Sequence, residues 1–390
     1  MDFAKTEVQR MIVDTATKVG ERYGLEYWRK LDAEKAFPAE IWQAICDAGL
    51  AGTALPEEYG GAGLGMLELA MVVETLASTG AGSTIGQMFM NNPIFGGVSI
   101  SRFGSEEVKR SYLPQLANGS IKFCMALTEP NTGSNALEME AFARRDGNGF
   151  RLNGRKIWIT GVPQADKMLA VVRTRRKDEV PRRTEGVTMF LIDRDREGVT
   201  HAPIEKVGTN TLTSSLVYLD DVWAAPDEVL GTLDGGWREL LDVLNTERIV
   251  TTACLVGAGK LALRLAVEYA ETRKVFGDRS IAAYQGIQFP LAEAYAQLEC
   301  AQLMNYKAAS LFDAGEPYGS EANIAKLIAS QAAQLATDRA MQTMGGMGYA
   351  KESHVERIWR DARLFRFAPV SEEMILNFIA QHNLKMPRSY

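Results

Sequence analysis

The segment that decides the fold is Asp146-Gly-Asn-Gly-Phe-Arg-Leu-Asn-Gly-Arg-Lys-Ile-Trp-Ile-Thr160. Its first four residues, 146–149, are typical of the tight turn that joins two β-strands. Residues 156–160 contain the β-branched and aromatic side chains that favour strands. The segment therefore predicts a β-hairpin.

Similar strand-like runs continue along the chain to about residue 231. Each run is short, rich in β-branched or aromatic residues, and separated from the next by turn residues. They occupy residues 168–172, 187–192 and 216–219. The middle third of the chain is therefore predicted to form a compact β domain.

The regions on either side of these runs have the apolar spacing of helices. Met66, Leu69 and Val73 follow one another at three or four residues, as do Leu240 and Leu244. We therefore expect a mainly α protein with a central β domain, with domains at residues 1–121, 122–231 and 232–390. This order differs from the strand–helix alternation of a doubly wound nucleotide-binding sheet, and the sequence contains no GxGxxG turn.

Composition excludes several classes of function. The chain has 390 residues, of which 46% are hydrophobic. Its 43 Lys and Arg residues and 49 Asp and Glu residues give a net charge of −6. A negative net charge disfavours binding to the phosphate backbone, so we do not expect a nucleic-acid partner. The sequence contains no run of about 18 apolar residues, and its start lacks the basic region followed by an apolar region that is typical of a signal peptide. We therefore expect a cytoplasmic protein without a membrane partner. The three histidines are isolated and no metal-binding motif is present, so no metal site is predicted.

Four groups of residues, spread over nearly the whole chain, carry a resemblance to a known family. They are Leu55-Pro-Glu-Glu-Tyr-Gly-Gly-Ala-Gly-Leu64 with Gly104-Ser-Glu-Glu-Val-Lys109; Met125-Ala-Leu-Thr-Glu-Pro-Asn-Thr-Gly-Ser134; Asn153-Gly-Arg-Lys-Ile-Trp-Ile-Thr160; and Arg273-Lys-Val-Phe276 with Gln285 and Gln342-Thr-Met-Gly-Gly346. In this order they resemble the acyl-CoA dehydrogenase flavoprotein family. The resemblance implies an N-terminal helical domain, a middle β-barrel or sandwich domain, a C-terminal four-helix bundle, and FAD as the cofactor.

The resemblance also implies which residues contact the flavin ring. In the family, backbone groups of the segment that matches Met125–Ser134 and the hydroxyl at Thr128 bond the pyrimidine edge. An indole at Trp158 packs on the ring, and a hydroxyl at Thr160 bonds the flavin atom N5. Because Trp158 and Thr160 are two residues apart on a strand, we expect both to project to one face. The expected flavin-side residues are Met125, Leu127, Thr128, Ser134, Trp158 and Thr160, with Ser134 also reaching the CoA side.

A second set of cofactor residues is implied near the C-terminal helices. In the family such residues hold the FAD pyrophosphate and adenine across a subunit boundary, where an arginine fork and a glycine pair suit a diphosphate. They are Arg273, Phe276, Gln285, Gln342, Gly345 and Gly346. The resemblance therefore implies an oligomer, most often a tetramer.

The catalytic base departs from the commonest family pattern. Most members carry a Glu shortly after an Arg-Asp-Ala such as residues 360–362, and reading on without gaps places Pro369 there. Some members carry the base on an earlier helix, directly before an Arg, and Asn245-Thr-Glu-Arg248 matches them. The resemblance thus implies Glu247 and Arg248 as catalytic residues, and Asn245, Arg248 and Ser134 as substrate contacts.

Helical spacing supports Glu247 independently. It follows Leu240 by seven residues and Leu244 by three, so it continues the apolar stripe toward the interior. Burial raises the pKa of a carboxyl group, whereas the adjacent Arg248 lowers it. The alternative is a buried Glu247–Arg248 ion pair that has only a structural role.

Two other acids, Glu372 and Glu373, lie near the Pro369 position. They follow Ser371, a predicted helix N-cap, and the helix dipole accounts for them.

Pro369 raises a second difficulty, because proline has no main-chain N–H and the family uses the N–H at that position to polarise the thioester carbonyl.

We predict an FAD-dependent acyl-CoA dehydrogenase that forms a 2,3-enoyl-CoA, with an electron-transfer flavoprotein as acceptor. The alternatives are an enoyl-CoA reductase, an oxidase that uses O₂, a flavin monooxygenase on the same scaffold, or a silent subunit that completes the FAD site of a paired homologue.

Overall fold

The computed structural model describes residues 4–388, and within them α-helices precede and follow a region of strands. The α-helices are α1 (Glu7–Arg22), α2 (Leu25–Glu34), α3 (Ala39–Asp47), α4 (Met66–Leu76), α5 (Thr84–Phe89), α6 (Ser99–Phe103), α7 (Glu106–Ala117), α8 (Gly236–Thr272), α9 (Gln285–Asp313), α10 (Gly319–Met344), α11 (Val355–Arg363) and α12 (Glu372–Phe378). The strands are β1 (Phe123–Ala126), β2 (Phe142–Asp146), β3 (Gly149–Thr160), β4 (Lys167–Arg173), β5 (Val187–Asp193), β6 (Val199–Ile204), β7 (Ser214–Ala224), β8 (Val229–Leu230), β9 (Lys274–Val275) and β10 (Arg279–Ser280). The predicted order of helices, strands and helices is confirmed.

Eight of the strands form one sheet in the order β6-β7-β3-β2-β4-β5-β8, with β1 added in parallel to β4. The predicted hairpin is β2–β3, in which Asp146 pairs with Gly149. One face of the sheet buries a cluster that includes Phe150, Leu152 and Ile192. The other face packs, through residues such as Leu169, against the first turns of α8.

Helix α8 is the central element of the C-terminal helices. It packs against α9 and α10 and against α4 of the N-terminal region, and α11 packs on α8 and α10. Its length and apolar composition suffice to cross a membrane, yet 83% of its most apolar window is buried inside the protein. That burial is what the core helix of a bundle shows.

Two short π-helical turns interrupt the helices that lie between α4 and α6. The first covers Ala77–Ala81 and the second covers Met90–Val98, which contains Pro93. Proline cannot donate the backbone hydrogen bond of a regular helix, and π-turns of this kind are frequent at functional sites. Met90–Val98 is fully buried beneath β1.

Gly257 sets the distance between α8 and α4. A Cβ at this position would lie 2.3 Å from the Glu74 carbonyl oxygen and 2.6 Å from the Ala77 Cβ, whereas one at Gly286 of α9 would meet nothing within 4 Å. We predict that Gly257→Ala destabilises the protein by about 1–3 kcal/mol through overpacking. Gly286→Ala is expected to be neutral or stabilising by up to about 1 kcal/mol, through helix propensity. Urea unfolding of both variants checks this, and equal midpoints would contradict it.

Candidate functional site

A buried lysine fixes the segment after β1 to the sheet. Lys156 of β3 is fully buried, and its Nζ donates to the Leu127 carbonyl at 2.9 Å and the Val171 carbonyl at 2.7 Å. The same ammonium forms an ion pair with the Glu129 carboxylate, with Nζ 2.8 Å from Oε1. Burial lowers the pKa of Lys156, and the negative charge of Glu129 opposes that shift. The lysine thus ties three segments together.

Glu129 is held from a second direction. Its carboxylate oxygens accept the backbone N–H groups of Glu140 at 2.6 Å and Ala141 at 3.0 Å. The Ile157 N–H donates to the Thr128 carbonyl at 2.9 Å, beside the lysine. Segment 127–129 and the end of β3 are therefore held together by hydrogen bonds that involve charged, water-excluded groups, the stronger kind.

A β-bulge in β3 then turns Trp158 outward. The pairing of β3 with β7 shifts between Lys156 and Ile159, both of which are buried. Trp158 has φ of 62°, which is uncommon for a bulky residue, and its side chain is 53% exposed. Because the bulge inserts an extra residue, Lys156 and Ile159 are both buried although they are three positions apart, and Trp158 between them is exposed. The shared face of Trp158 and Thr160 stays a prediction.

The other flavin-side residues lie next to this strand end. Strand β1 pairs with β4 alone among the strands of residues 4–388, so its other edge is unpaired by any strand. Met125 and Leu127 pack in the same apolar cluster as Leu240 and Leu244 of α8. The Thr160 hydroxyl lies 3.3 Å from the Ser214 hydroxyl. A planar heterocycle could bind here, because it would find three suitable groups. They are the exposed indole of Trp158, the partly buried hydroxyl of Thr160 and the unpaired main-chain edge of β1.

Glu247 lies on α8, one turn beyond Leu244. Its side chain is 6% exposed, and no hydrogen bond or ion pair within residues 4–388 reaches its carboxylate. Burial raises the pKa of Glu247 to about 8, an effect that the positive charges of Arg248 and Lys326 only partly offset. The structure thus has both the predicted burial of Glu247 and the raised pKa that burial causes.

The predicted alternative, an ion pair between Glu247 and Arg248, is absent from the described part of the chain. The Arg248 guanidinium donates instead to the Asn245 side-chain oxygen. Asn245 also borders an open cavity of about 410 Å³, which Arg102, Asp242 and Tyr318 line as well. The Tyr318 hydroxyl donates to the Asp242 carboxylate at 3.1 Å, and Arg102 pairs with the same group at 2.9 Å.

The segment that carries Pro369 is anchored onto α10. Lys326, fully buried, donates to the Val370 carbonyl at 2.7 Å, and burial lowers the pKa of Lys326 to about 8 against the pull of Glu372. Arg366 and Glu372 form a bidentate pair with contacts of 2.7 and 2.6 Å. Pro369 itself is exposed at the surface of this segment.

Glu372 corrects one sequence expectation. Ser371 is an N-cap whose hydroxyl accepts the Met374 N–H at 3.3 Å, as predicted. Glu372, however, is buried, pairs with Arg366 and accepts the Ser330 hydroxyl at 3.0 Å, so the helix dipole alone does not account for it. Glu373 is exposed.

The second set of cofactor residues lies at one end of the C-terminal helices. Arg273 ends α8, Gln285 begins α9, and Gly345, with φ of 59°, ends α10. All six residues are exposed, Phe276 to 99%. No hydrogen bond or ion pair between residues 4 and 388 joins this set to the flavin-side residues. The structure therefore places Met125 and Leu127 of the first set in the apolar cluster of the helix that carries Glu247, and it leaves the second set exposed.

The main residues that sequence reasoning missed are Lys156 and Glu129. Both lie inside motifs that it singled out, yet neither was given a role. The available signal was a lysine at an inward-facing strand position, because a charged group there must be paired.

No group of three His, Cys, Asp or Glu able to hold a metal ion occurs in the described chain.

Comparisons with known proteins cover nearly the whole chain. Three family models match it: the acyl-CoA dehydrogenase N-terminal domain at residues 6–120, the middle domain at 124–222 and the C-terminal domain at 234–384. The acyl-CoA dehydrogenase FadE12 of Mycobacterium tuberculosis is 38% identical over 100% of this chain and 99% of its own length. A 3-(aryl)acrylate reductase of Clostridium sporogenes is 32% identical over 98% of this chain and 96% of its own.

Solved structures show the same fold. The FAD complex of PigA superposes with a TM-score of 0.92 and 26% identity, covering 99% of this chain and 100% of that one.

We predict that Lys156→Met destabilises the protein by about 3–5 kcal/mol, because it leaves Glu129 buried and unpaired. Lys177 provides a matched control on the same sheet domain: its Nζ lies 2.7 Å from Glu138, but both side chains are about one-third exposed. Lys177→Met is expected to cost about 0.2–1 kcal/mol, as exposed pairs do. Denaturant unfolding measures both, and comparable losses would contradict the assignment.

Proposed function

Because the chain belongs to the acyl-CoA dehydrogenase family, whose domain models match it from residue 6 to residue 384, we propose that it oxidises an acyl-CoA to the 2,3-enoyl-CoA with Glu247 as the base. The chain is an oxidoreductase of this family. The observation that carries the proposed step is the buried Glu247 carboxyl, which has neither a hydrogen-bond partner nor an ion-pair partner in the part of the chain described.

An unpartnered buried carboxylate suits proton abstraction. Oxidation removes the proton at the carbon next to the thioester carbonyl and a hydride from the following carbon, which leaves a double bond between the two. A base without competing hydrogen bonds and with a pKa near the working pH accepts that proton efficiently. Arg248, fixed by Asn245, stands beside Glu247 and would stabilise its ionised form.

FAD supplies the acceptor of the hydride when it is bound. The residues that would hold its ring are Met125, Leu127, Thr128, Trp158 and Thr160. Met125 and Leu127 pack in one cluster with the first turns of α8, and the Thr128 carbonyl accepts the N–H of Ile157, the residue before Trp158. The outward-facing set from Arg273 to Gly346 would hold the pyrophosphate and adenine of a cofactor bound mainly by another subunit. A Cβ at Gly345 or Gly346 would meet nothing within 4 Å, so the main chain there is open to a diphosphate.

The division of the expected cofactor residues into two sets supports an oligomer. Within residues 4–388 no hydrogen bond or ion pair joins the second set to the expected flavin-side residues, so we infer that one chain alone completes only part of the site. We propose a homo-oligomer, a tetramer as the resemblance implies, with an electron-transfer flavoprotein as acceptor. Ser134 and Asn245 would contact the CoA part of the substrate. The cytoplasmic location and the domain boundaries at residues 121 and 231 stay predictions.

Enoyl-CoA reduction is a second candidate that one observation favours. With a pKa of about 8, Glu247 of the unliganded chain holds its proton at neutral pH. A protonated acid at this position could donate to the α carbon in the reverse direction. A relative 32% identical to the chain is named a 3-(aryl)acrylate reductase. The intact, buried Glu247 speaks against a silent subunit.

We predict that one or more saturated acyl-CoAs bleach the flavin absorbance of the anaerobic protein. Glu247→Gln is expected to slow bleaching by about 10²–10⁴-fold, the usual contribution of a general base. Glu373→Gln, an exposed acid of the Pro369 segment, serves as the control and should leave the rate unchanged. Bleaching that survives in Glu247→Gln would contradict the role of this residue. A loaded flavin that only an enoyl-CoA reoxidises after chemical reduction would support the reductase.

The pH dependence of the reaction tests the same residue. The base must be deprotonated and burial raises its pKa, so kcat/KM for acyl-CoA oxidation is expected to rise with pH and level off above about 8. Enoyl-CoA reduction, which needs the protonated acid, is expected to fall over the same range. Steady-state rates in both directions provide the measurement, and a profile without an inflection would contradict the account.

A further inference from the structure

Three consecutive residues of the π-helical turn contact three different parts of the candidate site. Met90 Sδ lies 4.0 Å from the hydroxyl of Thr251, one turn beyond Glu247 on α8. The side-chain amide of Asn91 donates to the Thr160 carbonyl at the end of β3, at 3.0 Å. The Asn92 side-chain oxygen accepts the N–H of Phe123, the first residue of β1, at 2.9 Å.

All three contacts are internal. Met90, Asn91 and Asn92 are 6%, 7% and 5% exposed. Asn92 is fixed further, since its amide nitrogen donates to the Met88 carbonyl at 3.0 Å. Bonds of this kind are shielded from competing water, so each holds its partner in a defined place.

The contact at Asn91 also depends on Gly161. This glycine follows Thr160 directly and has φ of 81°, a conformation that side chains rarely adopt. A Cβ there would lie 2.6 Å from the Asn91 amide nitrogen. The glycine therefore lets the asparagine approach the main chain at the end of β3.

We propose that Asn91 is a positioning residue that fixes the Thr160 end of β3, and with it the Thr160 hydroxyl, relative to the helix that carries Glu247. This inference rests on the proposed function, in which Thr160 contacts the flavin and Glu247 removes the proton. The base and the hydride acceptor must reach neighbouring carbons of one substrate, so their separation is constrained. A misplacement of about 1 Å can lower a rate by about 10²-fold.

The test uses the purified flavin-loaded protein and its variants Asn91→Leu and Asn91→Ala. Leucine has nearly the same shape as asparagine but no N–H to donate, whereas a buried aspartate facing a carbonyl would hold its proton and donate in place of the amide. The matched control is Asn323→Ala: Asn323 is 4% exposed and donates to the Gly319 carbonyl at 2.7 Å, within α10. Three quantities are measured: the midpoint potential of the flavin, its reduction rate by saturating acyl-CoA, and the acyl-CoA concentration at half-saturation.

Both Asn91 variants are expected to reduce flavin about 10²-fold more slowly, with a shifted flavin potential and an unchanged half-saturating concentration. Asn323→Ala is expected to keep the rate and potential of the wild type. Wild-type rate and potential in the Asn91 variants, or equal losses in Asn323→Ala, would overturn the proposal. If Asn91→Leu does not fold, Asn91→Ser, whose shorter side chain ends before the Thr160 carbonyl, replaces it.

Failure of the proposed function gives a different result. In that case no acyl-CoA reduces the wild-type flavin, whereas the flavin potential of the Asn91 variants, measured by photoreduction, still reports on Thr160. A potential that stays at the wild-type value in those variants would then overturn the positioning role by itself.

Discussion

The buried ion pair between Lys156 and Glu129 is the constraint on which the candidate site depends. Two charges taken out of water are tolerated only where hydrogen bonds satisfy the remaining donors and acceptors. Here two carbonyl oxygens accept the remaining hydrogen bonds of the lysine ammonium, and two backbone N–H groups donate to the glutamate carboxylate. Those same bonds place the main chain from Leu127 to Glu129 against β3. The charge pair thus determines which surface the bulge at Trp158 can present.

Glu247 follows the opposite rule, because its burial is not compensated by hydrogen bonds. Lys156 and Glu129 neutralise each other, whereas Glu247 reduces its own desolvation by holding a proton, which the raised pKa records. A group of this kind lowers the stability of the folded state near neutral pH, and it is available for proton transfer. The absence of an acid at Pro369 leaves Glu247 without a rival at that position. The loss of one main-chain donor there would cost about 2.7–4 kcal/mol of transition-state stabilisation unless another group replaces it.

Sequence reasoning predicted the order of helices and strands, because periodicity depends on local spacing alone. It also predicted the burial of Glu247, since that residue continues the stripe begun by Leu240 and Leu244. It did not predict the bulge at Trp158 or the partner of Glu372. A bulge depends on pairing with β7, and Glu372 pairs with Arg366 and Ser330, the latter 42 positions earlier. Nor could spacing show that Asn91 and Thr160, 69 residues apart, meet. The individual roles in cofactor and substrate binding stay predictions.

The central claim is that Glu247 moves the proton next to the thioester carbonyl, and that step can be isolated from hydride transfer. The measurement is deuterium exchange at that carbon in D₂O, with the flavin-loaded protein and an acyl-CoA analogue whose following position cannot be oxidised. The account predicts exchange by the wild type and its loss in Glu247→Gln, with binding of the analogue retained. Undiminished exchange in Glu247→Gln would contradict it and direct attention to another base.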